Sequence, residues 1–105
     1  MSKPIILAKE AIAEVEEAKA YYNSKVPSLG YQFVSDFFNT VELISIWPKM
    51  FPKGKRAYGA RTAILKQFPY QIHYYEAKEN ILVLVVSNCY QEPKKQKKKI
   101  KTRKK

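Results

Sequence analysis

The spacing of apolar positions divides the chain into a strand, two helices, a loop and three further strands. Residues 3–7 (Lys-Pro-Ile-Ile-Leu) read as a short first strand, with Pro4 at its start, where a missing N–H is tolerated. From Ala8 the spacing becomes helical. Ala8, Ala11, Ile12, Val15, Ala18 and Tyr22 form one stripe, while Lys9, Glu10, Glu14, Glu17 and Lys19 fall largely elsewhere. Asn23 and Ser24 end this Ala- and Glu-rich helix. A second helix starts at Pro27 or Ser28. Phe33, Val34, Phe37, Phe38, Val41 and Ile44 make its apolar face, and Pro48 stops it after Trp47. Two helices joined by so short a turn form an antiparallel hairpin.

Residues 49–60 carry one Pro, two Gly and four basic residues and read as a loop. The pattern after them is β. Arg61 to Gln67 is a strand and Phe68-Pro69 a turn. Tyr70 to Tyr75 alternates as a half-buried strand does. Residues 76–80 are a polar turn. Ile81 to Val86 is continuously aliphatic, which predicts a central strand covered on both faces. The expected fold is α+β, in the order β-α-α-β-β-β: a small, twisted, mostly antiparallel sheet packed against an N-terminal helical hairpin.

Composition narrows the class. At 105 residues, 46% hydrophobic and with 14 aromatics, the chain is one domain's worth and can bury a core. No apolar run reaches the roughly 18–20 residues of a membrane span, and the apolar stretch at residues 4–8 is too short for a secretory signal. One cysteine (Cys89) and one histidine (His73) exclude an internal disulfide, a Cys-based zinc site and a multi-His site. The expectation is a cytoplasmic protein with no metal, no cofactor and no membrane partner.

The net charge of +11 is unevenly spread. Residues 94–105 hold nine Lys/Arg and no acid, leaving a net of +2 for residues 1–93. Within that body, residues 1–47 are net −2 and residues 48–93 net +4. Like charges repel and build no core, so the expected organisation is a folded domain over 1–93 and a flexible basic tail over 94–105. The tail has three equal readings: an arm for non-specific nucleic-acid binding, a segment loose when free and ordered by a protein partner, or solubilising charge without a further role.

Several segments together resemble the RelE/ParE superfamily of toxins from bacterial type II toxin–antitoxin systems, which includes plasmid-stabilisation proteins. They are Ala20-Tyr21-Tyr22 at the end of the first helix, Phe33-Val34-Ser35-Asp36-Phe37-Phe38 on the second, Trp47-Pro48, Arg61, the run from Phe68 to Tyr75, and the last strand leading to Pro93. The resemblance spans about residues 5–93. It implies a toxin neutralised by a cognate antitoxin, which is expected to bring an acidic segment. RelE-like members cleave messenger RNA in the ribosome, whereas ParE-like members poison DNA gyrase.

Here the residues depart from the nuclease pattern. Gln71 stands where RelE-like nucleases carry an important Arg, and Thr62 and Ile64 fall near their catalytic lysines; after the last strand, where ParE-like and related members often carry a His and then an Arg, the chain reads Asn88-Cys89-Tyr90-Gln91, with neither. Phosphodiester cleavage needs a base, an acid and cations on the developing charge, and this set supplies little of that. The ParE side therefore fits better. The alternatives are a ribosome-dependent endoribonuclease with a non-standard set (Arg61, Lys53, Lys55, Tyr90) and a decayed toxin retaining only antitoxin binding. Lys53, Lys55, Arg56, Arg61, His73 and Tyr90 are the candidates for target or antitoxin contact.

Overall fold

The computed structural model describes residues 2–53, 59–90 and 93–103. The elements are β1 (Ile5–Leu7), α1 (Lys9–Lys25), α2 (Leu29–Ile46), β2 (Arg61–Ile64), β3 (Tyr70–Glu76), β4 (Ile81–Asn88) and α3 (Pro93–Arg103). They form one four-stranded sheet in the order β1-β4-β3-β2. The β2–β3 and β3–β4 pairs are antiparallel. β1 runs parallel to β4, so the sheet is mixed.

The helical hairpin covers one face. Phe33, Phe37 and Ile44 of α2 and Ala11, Val15 and Ala18 of α1 pack on Ala63, Ile72, Tyr74, Ile81, Val83 and Val86. Tyr22, Phe33, Phe68 and Tyr70 interlock at one end, with ring centroids 4.8–6.0 Å apart. Tyr22 and Phe33 stack and the other pairs meet edge to face, and such contacts add to the burial itself.

The turn between the helices is built by a long-range cap. Ser28 has a left-handed backbone (φ 70°), and its side chain makes no cap hydrogen bond. Instead the Gly30 N–H donates to Asn23 Oδ1 at 2.7 Å, so the end of α1 caps the start of α2. The helices touch here: a Cβ on residue 30 would lie 2.4 Å from the Lys19 carbonyl oxygen.

β4 carries an irregularity that explains its unbroken aliphatic run. His73 faces Val85 while Tyr74 faces Val83, leaving Leu84 as an extra residue. Ile81, Val83 and Val86 point into the hairpin core, whereas Leu84 and Val85 join a second cluster on the opposite face with Ala60 and Ile100.

That second cluster corrects the reading of a flexible tail for its described part, residues 94–103; residues 104 and 105 lie outside the described residues. Residues 93–103 are helical, and Ile100 is 1% exposed. One aliphatic side chain on a basic helix is enough because the body supplies apolar partners and, as described next, an acid.

Candidate functional site

β1 is only three residues long and pairs only with Ile81, Leu82 and Val83. Its ladder ends where the Ala8 N–H reaches the Val83 carbonyl at 2.9 Å. Beyond that point β4 would present an open edge. Side chains close it. The Val86 N–H donates to Glu14 Oε1 at 2.9 Å, and Arg103 Nη1 donates to the Leu84 carbonyl at 3.0 Å. Arg103 Nη1 also lies 2.9 Å from Glu14 Oε1, and Lys99 Nζ lies 3.1 Å from Glu14 Oε2. One carboxylate of α1 thus joins the sheet to two cations of α3.

A cavity of about 510 Å³ opens beside this junction. Its lining includes Glu10, Glu14, Glu17 and Tyr21 of α1, Tyr70 of β3, and Lys99 and Arg103 of α3. A second groove, of about 410 Å³, runs along α2 past Leu43 and Ile46 to Lys66 and Gln67. Of its lining residues Leu43 and Ile46 are exposed apolar side chains, and Phe38, Trp47 and Met50 are exposed as well.

His73 sits on the face covered by α3, 6% exposed. Its Nδ1 is 2.9 Å from Thr62 Oγ1. Its Nε2 is buried and, among the described residues, has no hydrogen-bond partner; Ser87 Oγ is in the same position. Burial holds the imidazole down at about 4, with Glu14 opposing the shift and Lys99 adding to it. His73 is therefore neutral near pH 7.

Among the described residues, those singled out from the sequence do not gather at one site, although Lys53 and Arg61 lie side by side. Arg61 lies on the opposite face from His73: it stands across from Tyr74, and its Nη1 donates to the Phe51 carbonyl at 2.8 Å. Lys53 forms an isolated bridge with Arg61, next to the Thr62 N–H bond to the Pro52 carbonyl, so this pair fastens the loop to the β2 edge. Tyr74 lies beside them, its hydroxyl donating to the Pro48 carbonyl at 2.6 Å and raised by burial to about 12. Tyr90 is 84% exposed after β4. Lys55 and Arg56 lie outside the described residues. Cys89 is partly buried, which raises its thiol above the usual value.

Among the described residues, no group of three or more His, Cys, Asp or Glu is placed to hold a metal ion, and no helix is long and apolar enough to cross a membrane.

Sequence reasoning missed Glu14, Lys99, Arg103 and Ser87. Glu14 left one trace: it lies three residues after Ala11 and four before Ala18, on the buried stripe rather than opposite it.

No family model matches the chain, and no curated protein matches it either. Among solved structures, it is similar to a chain of a chromosomal ParDE TA system from P. aeruginosa. That similarity has a TM-score of 0.74 at 16% identity and covers 83% of this chain and 96% of that one. The chain shares its fold with a component of a toxin–antitoxin system, which is the architecture that the resemblance of its Phe68-to-Tyr75 run implies.

Proposed function

We propose that this protein is the toxin of a type II toxin–antitoxin module. On this reading it inhibits a DNA-processing enzyme such as gyrase and is neutralised by a cognate antitoxin. The observation that carries the reading is the fold shared, over most of both chains, with a component of a ParDE TA system.

The site chemistry supports the binding side of that superfamily over the nuclease side. On the α3-side face, Thr62 pairs with His73 and Ile64 with Gln71, so the sheet offers no cation there. Arg61 is engaged with a backbone carbonyl on the other face. A buried neutral imidazole bonded to a threonine is poorly placed to take a proton from a ribose hydroxyl.

The exposed apolar residues of α2 suit an antitoxin segment that carries its own apolar anchors. The net charge of +11, concentrated in residues 48–105, draws an acidic partner to the molecule as a whole.

Induced expression, alone and together with the neighbouring reading frame, tests the reading. The expected result is growth arrest with a DNA-damage response and inhibited supercoiling by purified gyrase, all relieved by the neighbour. Arrest with messenger cuts in the ribosomal A site would replace it with the endoribonuclease reading. Normal growth with intact partner binding would identify a decayed toxin.

A further inference from the structure

We infer that α3 is a nucleic-acid-binding helix, held by Glu14 so that its outward lysines meet the phosphates of a duplex.

The segment is a poor helix by itself. It has eleven residues, no acid, and like charges at Lys94/Lys98, Lys95/Lys99, Lys97/Lys101 and Lys99/Arg103, all four residues apart. What orders it is the body. Ile100 is buried with Ala60, Leu84 and Val85, and Lys99 and Arg103 share the Glu14 carboxylate. Docking therefore divides the cations into two sets. The inner pair, Lys99 and Arg103, holds the helix down. Lys94, Lys95 and Lys98 are exposed, with Glu10 bordering the same groove as Lys95 and Lys98.

The chemistry of the outward side selects the ligand. Ile100 is the one aliphatic residue of α3 and it is turned inward. A protein partner draws most of its binding energy from apolar and aromatic anchors, and lysine is depleted in such interfaces. A phosphate backbone needs only cations, and each contact releases a counterion. Because the helix is already ordered, binding does not have to bear the cost of folding it. This separates the docked helix from a loose basic arm, which would bind through charge alone.

The two differ in sign for one substitution. Glu14→Gln raises the net charge by one, which strengthens binding by a loose arm. It also removes the anchor of Lys99 and Arg103, which weakens binding by a docked helix. The probe is fluorescence anisotropy on a random-sequence DNA duplex, repeated with an RNA duplex and with polyglutamate, across a salt titration and with far-UV circular dichroism on each variant. The expected results are a steep salt dependence for the unaltered protein and a slope lower by roughly 3 for the combined Lys94→Gln, Lys95→Gln, Lys98→Gln variant. Glu14→Gln and the charge-neutral Ile100→Ala should both bind several-fold more weakly, and comparison of the two duplexes identifies the preferred backbone. Unchanged binding by the triple-lysine variant would overturn the proposal. So would duplex affinities for Glu14→Gln and Ile100→Ala that match or exceed the unaltered protein's. Polyglutamate bound more tightly than either duplex would assign the helix to an acidic protein instead.

Discussion

Glu14 and Arg103, 89 positions apart, meet at 2.9 Å, and between them they satisfy the Val86 N–H and the Leu84 carbonyl on the part of β4 that β1 does not reach. The contact is structural as well as electrostatic. Removing the carboxylate leaves a partly buried guanidinium without its counter-charge, though still bonded to the Leu84 carbonyl, and the Val86 N–H without its acceptor. Glu14→Ala should cost about 2–3 kcal/mol, or roughly 10 °C or more in thermal midpoint for a domain of this size. Glu14→Gln keeps an amide oxygen for Val86 and should cost less. Thermal melts of the two variants check this, and equal midpoints would mean that the Val86 bond contributes nothing.

Ile100 makes a similar prediction by a different route. It is the one aliphatic side chain that α3 buries, so Ile100→Ala removes its packing against Leu84 and Val85. The usual cost of such a truncation in a core is about 2–5 kcal/mol. The lower end is expected, because the helix can lift away from the sheet. Amide exchange over residues 93–103 should then quicken well before the hairpin core is affected.

Acid should destabilise the fold through His73. Its pKa is about 4 when folded and near 6.5 when unfolded, so between those values the unfolded chain binds more protons. Stability from this group is complete above pH 6.5 and is lost as pH falls toward 4. The full loss is on the order of 3 kcal/mol. Denaturant midpoints measured from pH 7 to pH 4 should fall steadily, and His73→Gln should flatten that part of the curve. A variant with the same slope as the parent would show that carboxylates alone govern it.

Gly30 tests the helix crossing. Its backbone is ordinary, so the constraint is space: an added Cβ meets the Lys19 carbonyl oxygen and the Asn23 side chain that caps α2. Gly30→Ala should therefore destabilise by about 1–3 kcal/mol, although alanine favours helices. Asn23→Ala loses the cap without the clash and should cost about 1 kcal/mol. A more stable Gly30→Ala protein in urea titrations would mean that the helices can part freely.

How far the sequence could be read follows from which interactions are local. The hairpin was visible because its stripes repeat every three or four residues. The unbroken run from Ile81 to Val86 asked for cover on both faces, and the hairpin could provide only one. The second cover is the segment that the charge argument sent into solvent. The error was to weigh nine cations without the acid that meets two of them, which lies on α1 and is far away in sequence. The hydrogen bond of Arg61 was illegible for the same kind of reason: its acceptor is a main-chain carbonyl, which no side-chain pattern announces. β2 is shorter than the run Arg61 to Gln67 suggested, ending at Ile64. The chain turns there because the Leu65 N–H bonds the Tyr70 carbonyl and the Gln67 N–H bonds buried Asp36.

The strand order has a kinetic meaning. β4 is the last of the described strands in chain order, yet it sits between β1 and β3 and carries contacts from α1 and α3. A nascent chain that stops before residue 81 has helices able to form but no central strand for β1 to join or α1 to rest on. Pairings such as Ile5 with Ile81 close very long loops, which slows folding relative to the local helices. The chain therefore completes its sheet, and any activity that depends on it, only when its final quarter is available.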